Sequence, residues 1–353
     1  MKLDSIINSA FIYSPVTSEP LERVPGFFER YAIDIDDIIA RIKKRKAHRV
    51  GVQLPEGLKR QAMEIAEVIR KRSGAEVWLY GGECFGACDL EDISEVDLVL
   101  HFGHSDIPSM KAKRRKVVFV PLHFKTDYEV LFANLPLKEL GAKVGLIATI
   151  QHVHALAALK SHLRKSGITA IIAKGSRRVA YPGQVLGCNF SAAKNCGNVD
   201  SIVFLGSGRF HPAGISLALD KPVWALDPYS QEVVRADEDR DRFLRRRWGA
   251  ISAAKGALTF AVVVSRRPGQ KRLREAKHVM ALLEDAGFMG YLVFMDLISP
   301  DRLDSLGMDA AVITACPRLV LDDSHLYKKP ILTPLEVEVL LGKRKDLVFE
   351  EME

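Results

Sequence analysis

Cysteine is scarce: five in 353 residues. That excludes a small disulfide scaffold. Long apolar runs are missing too. The cleanest stretches, Val144–Ile150 and Phe260–Val264, have the length of strands, far from the ~18–20 residues of a membrane span. The opening MKLDSIINSAFIYSP has neither the basic start nor the apolar core of a signal peptide, so a cytoplasmic chain is expected. Charge of neither sign is lacking. The formal balance is +7, with basic runs at Lys43–Arg49, Lys111–Lys116 and Arg240–Arg247. Asp241 interrupts the last run and no aromatic stacking pattern accompanies any of them, which favours solvated faces over a nucleic-acid footprint. What is abundant is core material. Apolar residues make up 48% and charged residues 27%, a globular balance that excludes disorder, and the length suits two or three domains.

Self-similarity at a period of about 100 residues organises the chain. A strand-like run recurs at Arg49–Leu54, Lys143–Ala148 and Thr259–Val264. A helical pattern follows each run. It is carried by Leu58, Ala62, Ile65, Ala66 and Ile69, then by Val153, Leu156, Leu159 and Leu163, then by Leu273, Ala276, Met280 and Leu283. Each helix stops at a glycine, Gly74, Gly167 and Gly287, the residue that best adopts the left-handed cap. Second strands are expected at Glu76–Tyr80, Thr169–Ala173 and Gly290–Met295. Third strands open at Val96-Asp97, Val199-Asp200 and Met308-Asp309, and fourth strands close near Pro121, Pro228 and Pro334.

Strands alternating with helices predict parallel sheets with right-handed crossovers. The expected fold is therefore α/β: three similar small parallel-sheet domains, an internal triplication, around a shared central site. Their bounds are 1–126, 127–229 and 230–353. The alternative is one large doubly wound sheet. Ser230–Gly256, charged and helical in pattern with no strand signal, reads as a linker helix opening the third domain.

Open parallel sheets bind ligands beyond the C-terminal ends of their strands. Cys88 and Cys188 fall in the loops between second and third strands of the first two units, and Cys316 directly follows the third strand of the last. One cysteine per unit, flanked by small residues, points to a metal held between domains. Three thiolates suit zinc or an iron–sulfur cluster. A [4Fe–4S] cluster with three cysteines keeps one iron open for substrate, against the usual four ligands. Cys84 and Cys196 read as packing. Cys84 and Cys88 could begin a local three-cysteine radical-enzyme motif, but the third position holds Glu91.

The segments QLPEG (53–57), FGACDLED (85–92), QHVHAL (151–156), YPGQVLGCN (181–189), GSGRFHP (206–212), DPYS (227–230), RRPGQ (266–270), TACPRLVLDD (314–323) and ILTPLE (331–336) resemble the archaeal 2-(3-amino-3-carboxypropyl)histidine synthases, which begin diphthamide biosynthesis. The resemblance implies a homodimer of three-domain chains. It places one [4Fe–4S] cluster on Cys88, Cys188 and Cys316. It implies S-adenosylmethionine as cosubstrate, cleaved reductively at its Cγ–S bond. The 3-amino-3-carboxypropyl radical would add to a histidine of translation elongation factor 2, releasing methylthioadenosine. An electron donor is implied, but no membrane and no nucleic acid. Gly269 and Gln270 follow the first strand of the third unit and are candidates to hold the donor, with helix capping the other role open to Gln270. Arg209 and His211 follow the third strand of the second unit and are candidates for the donor carboxylate. Arg240–Arg247 is a candidate surface for the elongation factor or the dimer.

Two alternatives remain from the sequence. One is a quinolinate synthase-like [4Fe–4S] enzyme that needs no S-adenosylmethionine. The other is a basic RNA-binding protein with structural zinc.

Overall fold

A computed structural model describes residues 26–90, 94–113, 116–237 and 240–352. The N-terminal stretch, Glu91 and Asp92 of FGACDLED, and Arg114 and Arg115 of the second basic run lie outside the described residues. The strands begin with β1 (Tyr31–Ala32), β2 (Arg49–Gln53), β3 (Glu76–Leu79), β4 (Leu98–Phe102), β5 (Val117–Val120) and β6 (His123–Phe124). There follow β7 (Lys143–Ala148), β8 (Thr169–Ile171), β9 (Ser201–Leu205), β10 (Val223–Asp227) and β11 (Glu232–Arg235). The last are β12 (Thr259–Ser265), β13 (Met289–Met295), β14 (Ala310–Ile313) and β15 (Ile331–Leu332).

These strands build three separate α/β layers. The sheet orders are β3-β2-β4-β5, then β11-β10-β9-β7-β8, then β13-β12-β14-β15, with β1 and β6 forming a small antiparallel pair. Every pairing in the three sheets is parallel except that of β11 with β10. Each sheet places its own strands in the order second, first, third, fourth.

The local chemistry explains why the elements start and stop where they do. β4, β9 and β14 are buried along their whole length, as expected of strands covered on both faces. The helices Ala62–Ser73, Leu156–Lys165 and Leu273–Asp285 run into Gly74, Gly167 and Gly287, whose φ angles of 75°, 78° and 82° favour residues without a Cβ. The aspartate that opens each third strand has a common task. Asp97 Oδ2 accepts from the backbone N–H groups of His48 and Arg49, at 2.9 and 2.8 Å. Asp200 Oδ2 accepts from Lys143 N at 2.8 Å. Asp309 Oδ2 accepts from Leu258 N and Thr259 N at 3.0 and 2.9 Å. Each carboxylate ties the start of a third strand to the start of the first strand beside it.

Ser230–Gly256 departs from the sequence reading. It contains a strand, β11, which pairs antiparallel with β10 from Trp224↔Arg235 to Asp227↔Glu232. Four residues flanked by charge give too short an alternation to register, and only the Val233-Val234 pair hints at it. The helix Arg240–Ala254 follows. Its basic face is not wholly a surface. Arg247 is buried and forms a two-pronged ion pair with Glu336, Nε to Oε1 and Nη2 to Oε2, both 2.7 Å. Nη1 donates to the carbonyl of Val320 at 3.0 Å, and Nη2 donates also to that of Ile331 at 2.8 Å. Arg247 therefore anchors this helix to the third sheet and does not belong to an external docking face.

Candidate metal centre

The C-terminal ends of the three sheets face one another, and the loops leaving them carry the cysteines. Cys88 lies between β3 and β4, Cys188 between β8 and β9, and Cys316 just beyond β14. All three line one cavity of about 230 Å³. Phe85, Gly86 and Ala87 share it from the first unit, Thr149, Arg178, Gln184 and His211 from the second, and Arg318 from the third. Burial and the nearby sulfurs of Cys188 and Cys88 push the Cys316 thiol up. Burial and Cys188 push Cys88 up in the same way, while Gln270 and Arg178 pull it back. The sulfurs of all three cysteines therefore share one small space.

Polar contacts between the units hold this space in shape. Gln184 Nε2 donates to Ser105 Oγ at 2.6 Å. Gly269 N donates to the carbonyl of Cys88 at 3.0 Å, and Gln270 Nε2 donates to Cys88 Sγ at 3.4 Å. Arg178 Nη2 donates to the carbonyl of Gly269 at 3.3 Å. Arg267 forms an ion pair with the buried Asp89, and its guanidinium lies 5.1 Å from the Phe85 ring centroid. The segment 266–270 thus staples the third unit onto the Cys88 loop. A Cβ on Gly269 would fall 2.5 Å from Cys88 Cα, so only glycine permits this approach. Near the C-terminus, Met352 N donates to the carbonyl of Cys188 at 2.8 Å and Asn189 Nδ2 donates to the carbonyl of Met352 at 3.0 Å.

The residues singled out from the sequence fall as follows. Gly269 and Gln270 touch Cys88, and Arg272, not Gln270, occupies the N-cap position of the helix that follows, without a side-chain cap bond. His211 lines the cavity and stacks on Phe204 with ring centroids 5.7 Å apart. Burial lowers its pKa to about 4, with the Arg318 charge adding to the effect, so it is a neutral imidazole at pH 7. Arg209 is exposed at the N-terminal end of the helix Phe210–Leu219 and is not among the residues lining the cavity.

Cys196 packs in the core of the second unit, its sulfur 3.4 Å from the carbonyl of Ala192. Cys84 is buried away from the lining. Sequence reasoning missed two cations here. Arg178 is 4% exposed, and Arg318 follows the ACP turn with its guanidinium 4.8 Å from the Phe210 ring centroid. Arg318 was visible inside TACPR. Arg178 lies within the loop that leaves β8 and carried no signal of its own.

The donor set fits a soft metal group. Among the described residues three thiols and no carboxylate line the space, two arginines supply positive charge beside it, and a glycine or alanine precedes each of the three cysteines. Thiolate ligands favour zinc or iron–sulfur clusters, and three of them satisfy neither a closed zinc site nor a fully ligated cluster.

Comparison with known proteins gives concordant matches. Residues 54–350 match the family described as diphthamide synthesis protein. The 2-(3-amino-3-carboxypropyl)histidine synthase of Pyrococcus horikoshii is 38% identical over 334 residues, covering 91% of this chain and 94% of its own. That of Methanocaldococcus jannaschii is 32% identical over 324 residues, covering 86% and 87%. The crystal structure of Dph2 from Pyrococcus horikoshii with a 4Fe-4S cluster superimposes with a TM-score of 0.83, covering 91% of this chain and 94% of that one. Among the described residues no helix is long and apolar enough to cross a membrane.

Proposed function

The chain belongs to the diphthamide synthesis family, and from that premise we propose that it is the 2-(3-amino-3-carboxypropyl)histidine synthase of the first diphthamide step. Its cofactor is a [4Fe–4S] cluster held by Cys88, Cys188 and Cys316. The observation that carries this reading is that three sulfurs from three different sheets line one cavity. The group transferred is the 3-amino-3-carboxypropyl of S-adenosylmethionine, and the acceptor is a histidine of translation elongation factor 2. When bound, the cluster supplies the electron for reductive cleavage of the donor's Cγ–S bond and an iron free to meet the donor.

The chain's own residues do the positioning. Gly269 lets the third unit approach Cys88 closely enough to hold that sulfur in place. Gln270 donates toward the same sulfur and stabilises its thiolate form. Arg178 and Arg318 line the cavity and offer positive charge to the donor carboxylate. His211, uncharged, offers a hydrogen bond without repelling the sulfonium. Selecting one of three carbon–sulfur bonds then becomes a matter of holding the donor rigidly in a near-attack pose.

We read the three sheets as one unit repeated three times. The common strand order and the common aspartate clamp support that reading, with bounds at 1–126, 127–229 and 230–353. A homodimer in the cytoplasm completes the proposal. The edge strand β13, with Met289, Tyr291 and Phe294 exposed, offers a surface for the second copy.

The test is anaerobic purification followed by incubation with elongation factor 2, a reductant and S-adenosylmethionine. A brown protein that releases methylthioadenosine and labels the factor is expected. Cys88→Ala, Cys188→Ala and Cys316→Ala should each lose most of the cluster and the transfer activity. Full cluster content and activity in all three variants would overturn the ligand assignment.

A further inference from the structure

We propose that Cys84, His101 and His104 form a second metal site, built for a single divalent d-block ion of the zinc class, beside the three-thiol cavity and using none of its three sulfurs. Their ligand atoms all lie within 4.8 Å of one another. One thiolate and two imidazoles make a borderline-soft set suited to Zn(II) or Co(II). The site stands on these three side chains alone and does not depend on the cluster reading.

The surroundings prepare the ligands. His101 lies on β4 opposite Gln53 on β2, and both are buried. Gln53 Nε2 donates to the carbonyl of Asp89 at 2.9 Å, which turns its Oε1 toward His101 Nδ1 at 3.0 Å. An amide oxygen only accepts. His101 therefore carries its proton on Nδ1 and keeps a lone pair on Nε2, the atom that faces His104. This is the outer hydrogen bond that characteristically orients a metal-binding histidine. The loop bearing Cys84 is pinned as well, because Phe85 N donates to Asp89 Oδ2 at 3.1 Å.

Without an ion, His101 Nε2 and His104 Nδ1 share a hydrogen bond of 2.8 Å. Zn–N bonds of about 2.0–2.1 Å at a tetrahedral angle place two nitrogens about 3.3 Å apart. The pair must therefore open by about 0.5 Å. His104 is the partner able to yield, since it sits partly exposed in the loop beyond β4, whereas His101 is fixed in a central strand. Binding exchanges that hydrogen bond for two metal–nitrogen bonds: the proton that His104 Nδ1 donates to His101 Nε2 passes through solvent to His104 Nε2, and Cys84 gives its thiol proton to solvent, with no change of oxidation state. His104 also lines both the three-thiol cavity and a neighbouring one of about 330 Å³. An ion and an exogenous fourth ligand can enter from there.

Two measurements test the site. The first uses the cluster-loaded protein titrated with Zn(II), with zinc and iron counted separately and zinc-edge absorption spectra recorded. One zinc per chain with a sulfur and two nitrogen neighbours is expected, lost in Cys84→Ser and His101→Asn while iron content stays unchanged. The second uses Co(II) and the Cys88→Ser/Cys188→Ser/Cys316→Ser chain, so that only Cys84 can give a thiolate-to-cobalt charge-transfer band at this locus. Adding Cys84→Ser should abolish that band. Gln53→Leu should weaken Co(II) binding by about 10–100-fold.

Zinc retained in Cys84→Ser, or only the weak spectrum of octahedral cobalt, would overturn the site. Loss of iron together with zinc in Cys84→Ser would assign Cys84 to the cluster and overturn the separation of the two sites. Loss of iron without loss of zinc in Cys88→Ala would leave this site standing on its own.

Discussion

Replacing Gly269 by alanine probes how closely the third unit must approach the Cys88 loop. The added Cβ would lie 2.5 Å from both Cα and Cβ of Cys88 and 2.6 Å from its carbonyl oxygen. Ordinary carbon–carbon contacts sit at about 3.5–4.0 Å, so one backbone must retreat by about 1 Å. Neither is free to do so alone, because Gly269 N donates to Cys88 O and Gly269 O accepts from Arg178. Metal–ligand distances tolerate about 0.2 Å, and a sulfur displaced several times that far no longer binds. Overpacking of this kind costs roughly 1–3 kcal/mol, less than the roughly 5–15 kcal/mol that holds a domain folded. The variant should therefore fold, with a lowered melting temperature, and lose most of its iron and acid-labile sulfide after anaerobic reconstitution. Gly249→Ala is the matched control, since nothing lies within 4 Å of a Cβ there. Its position inside a helix predicts neutrality or a gain of up to about 1 kcal/mol. Wild-type iron content and transfer activity in Gly269→Ala would refute the reasoning.

Two further outcomes follow from packing and charge. Arg247→Met or Glu336→Gln alone strands a buried partner and should cost roughly 3–5 kcal/mol in urea denaturation, whereas a double apolar replacement should cost much less than the sum. Equal and additive losses below about 1 kcal/mol would show that the pair is not desolvated. Asp309 is held below the usual carboxylate range by the Thr259 hydroxyl, then by the N–H groups of Leu258 and Thr259. Asp97 is held down by the N–H groups of Arg49 and His48. A carboxyl depressed in the folded state contributes stability above its unfolded pKa of about 3.9 and loses it as pH falls through the lower folded value. Asp97→Asn and Asp309→Asn should therefore flatten the decline of urea midpoints below about pH 4. An unchanged acid limb would mean that the clamps contribute nothing.

Local chemistry made much of the fold readable. The strand runs, the three glycine caps and the prolines closing the fourth strands each depend on neighbours a few residues away, and each is found in the structure. The recurring aspartate was visible as a repeat, but its partner, the start of another strand, was not. β11 escaped notice because four residues carry almost no periodic signal. Arg247 looked like part of a basic surface because its partner Glu336 lies 89 residues away. Cys84 looked like packing because His101 and His104 join it only through β4 and the loop beyond it. Arg178 gave no hint of being buried beside a thiol, since burial of a charge is decided by distant chain.

What the sequence determined by itself was the kind of unit, its threefold recurrence as a pattern, and the placing of one cysteine beyond a strand end in each. Those follow from short-range propensity and from the rule that parallel strands send their loops to one side. Only the tertiary structure decided that the three sheet ends face one another across a cavity of about 230 Å³, and that Gly269 backs onto Cys88 from 181 residues further along the chain. Relative placement of sheets is set by the shapes of the packed surfaces between them, and no local run of residues encodes it.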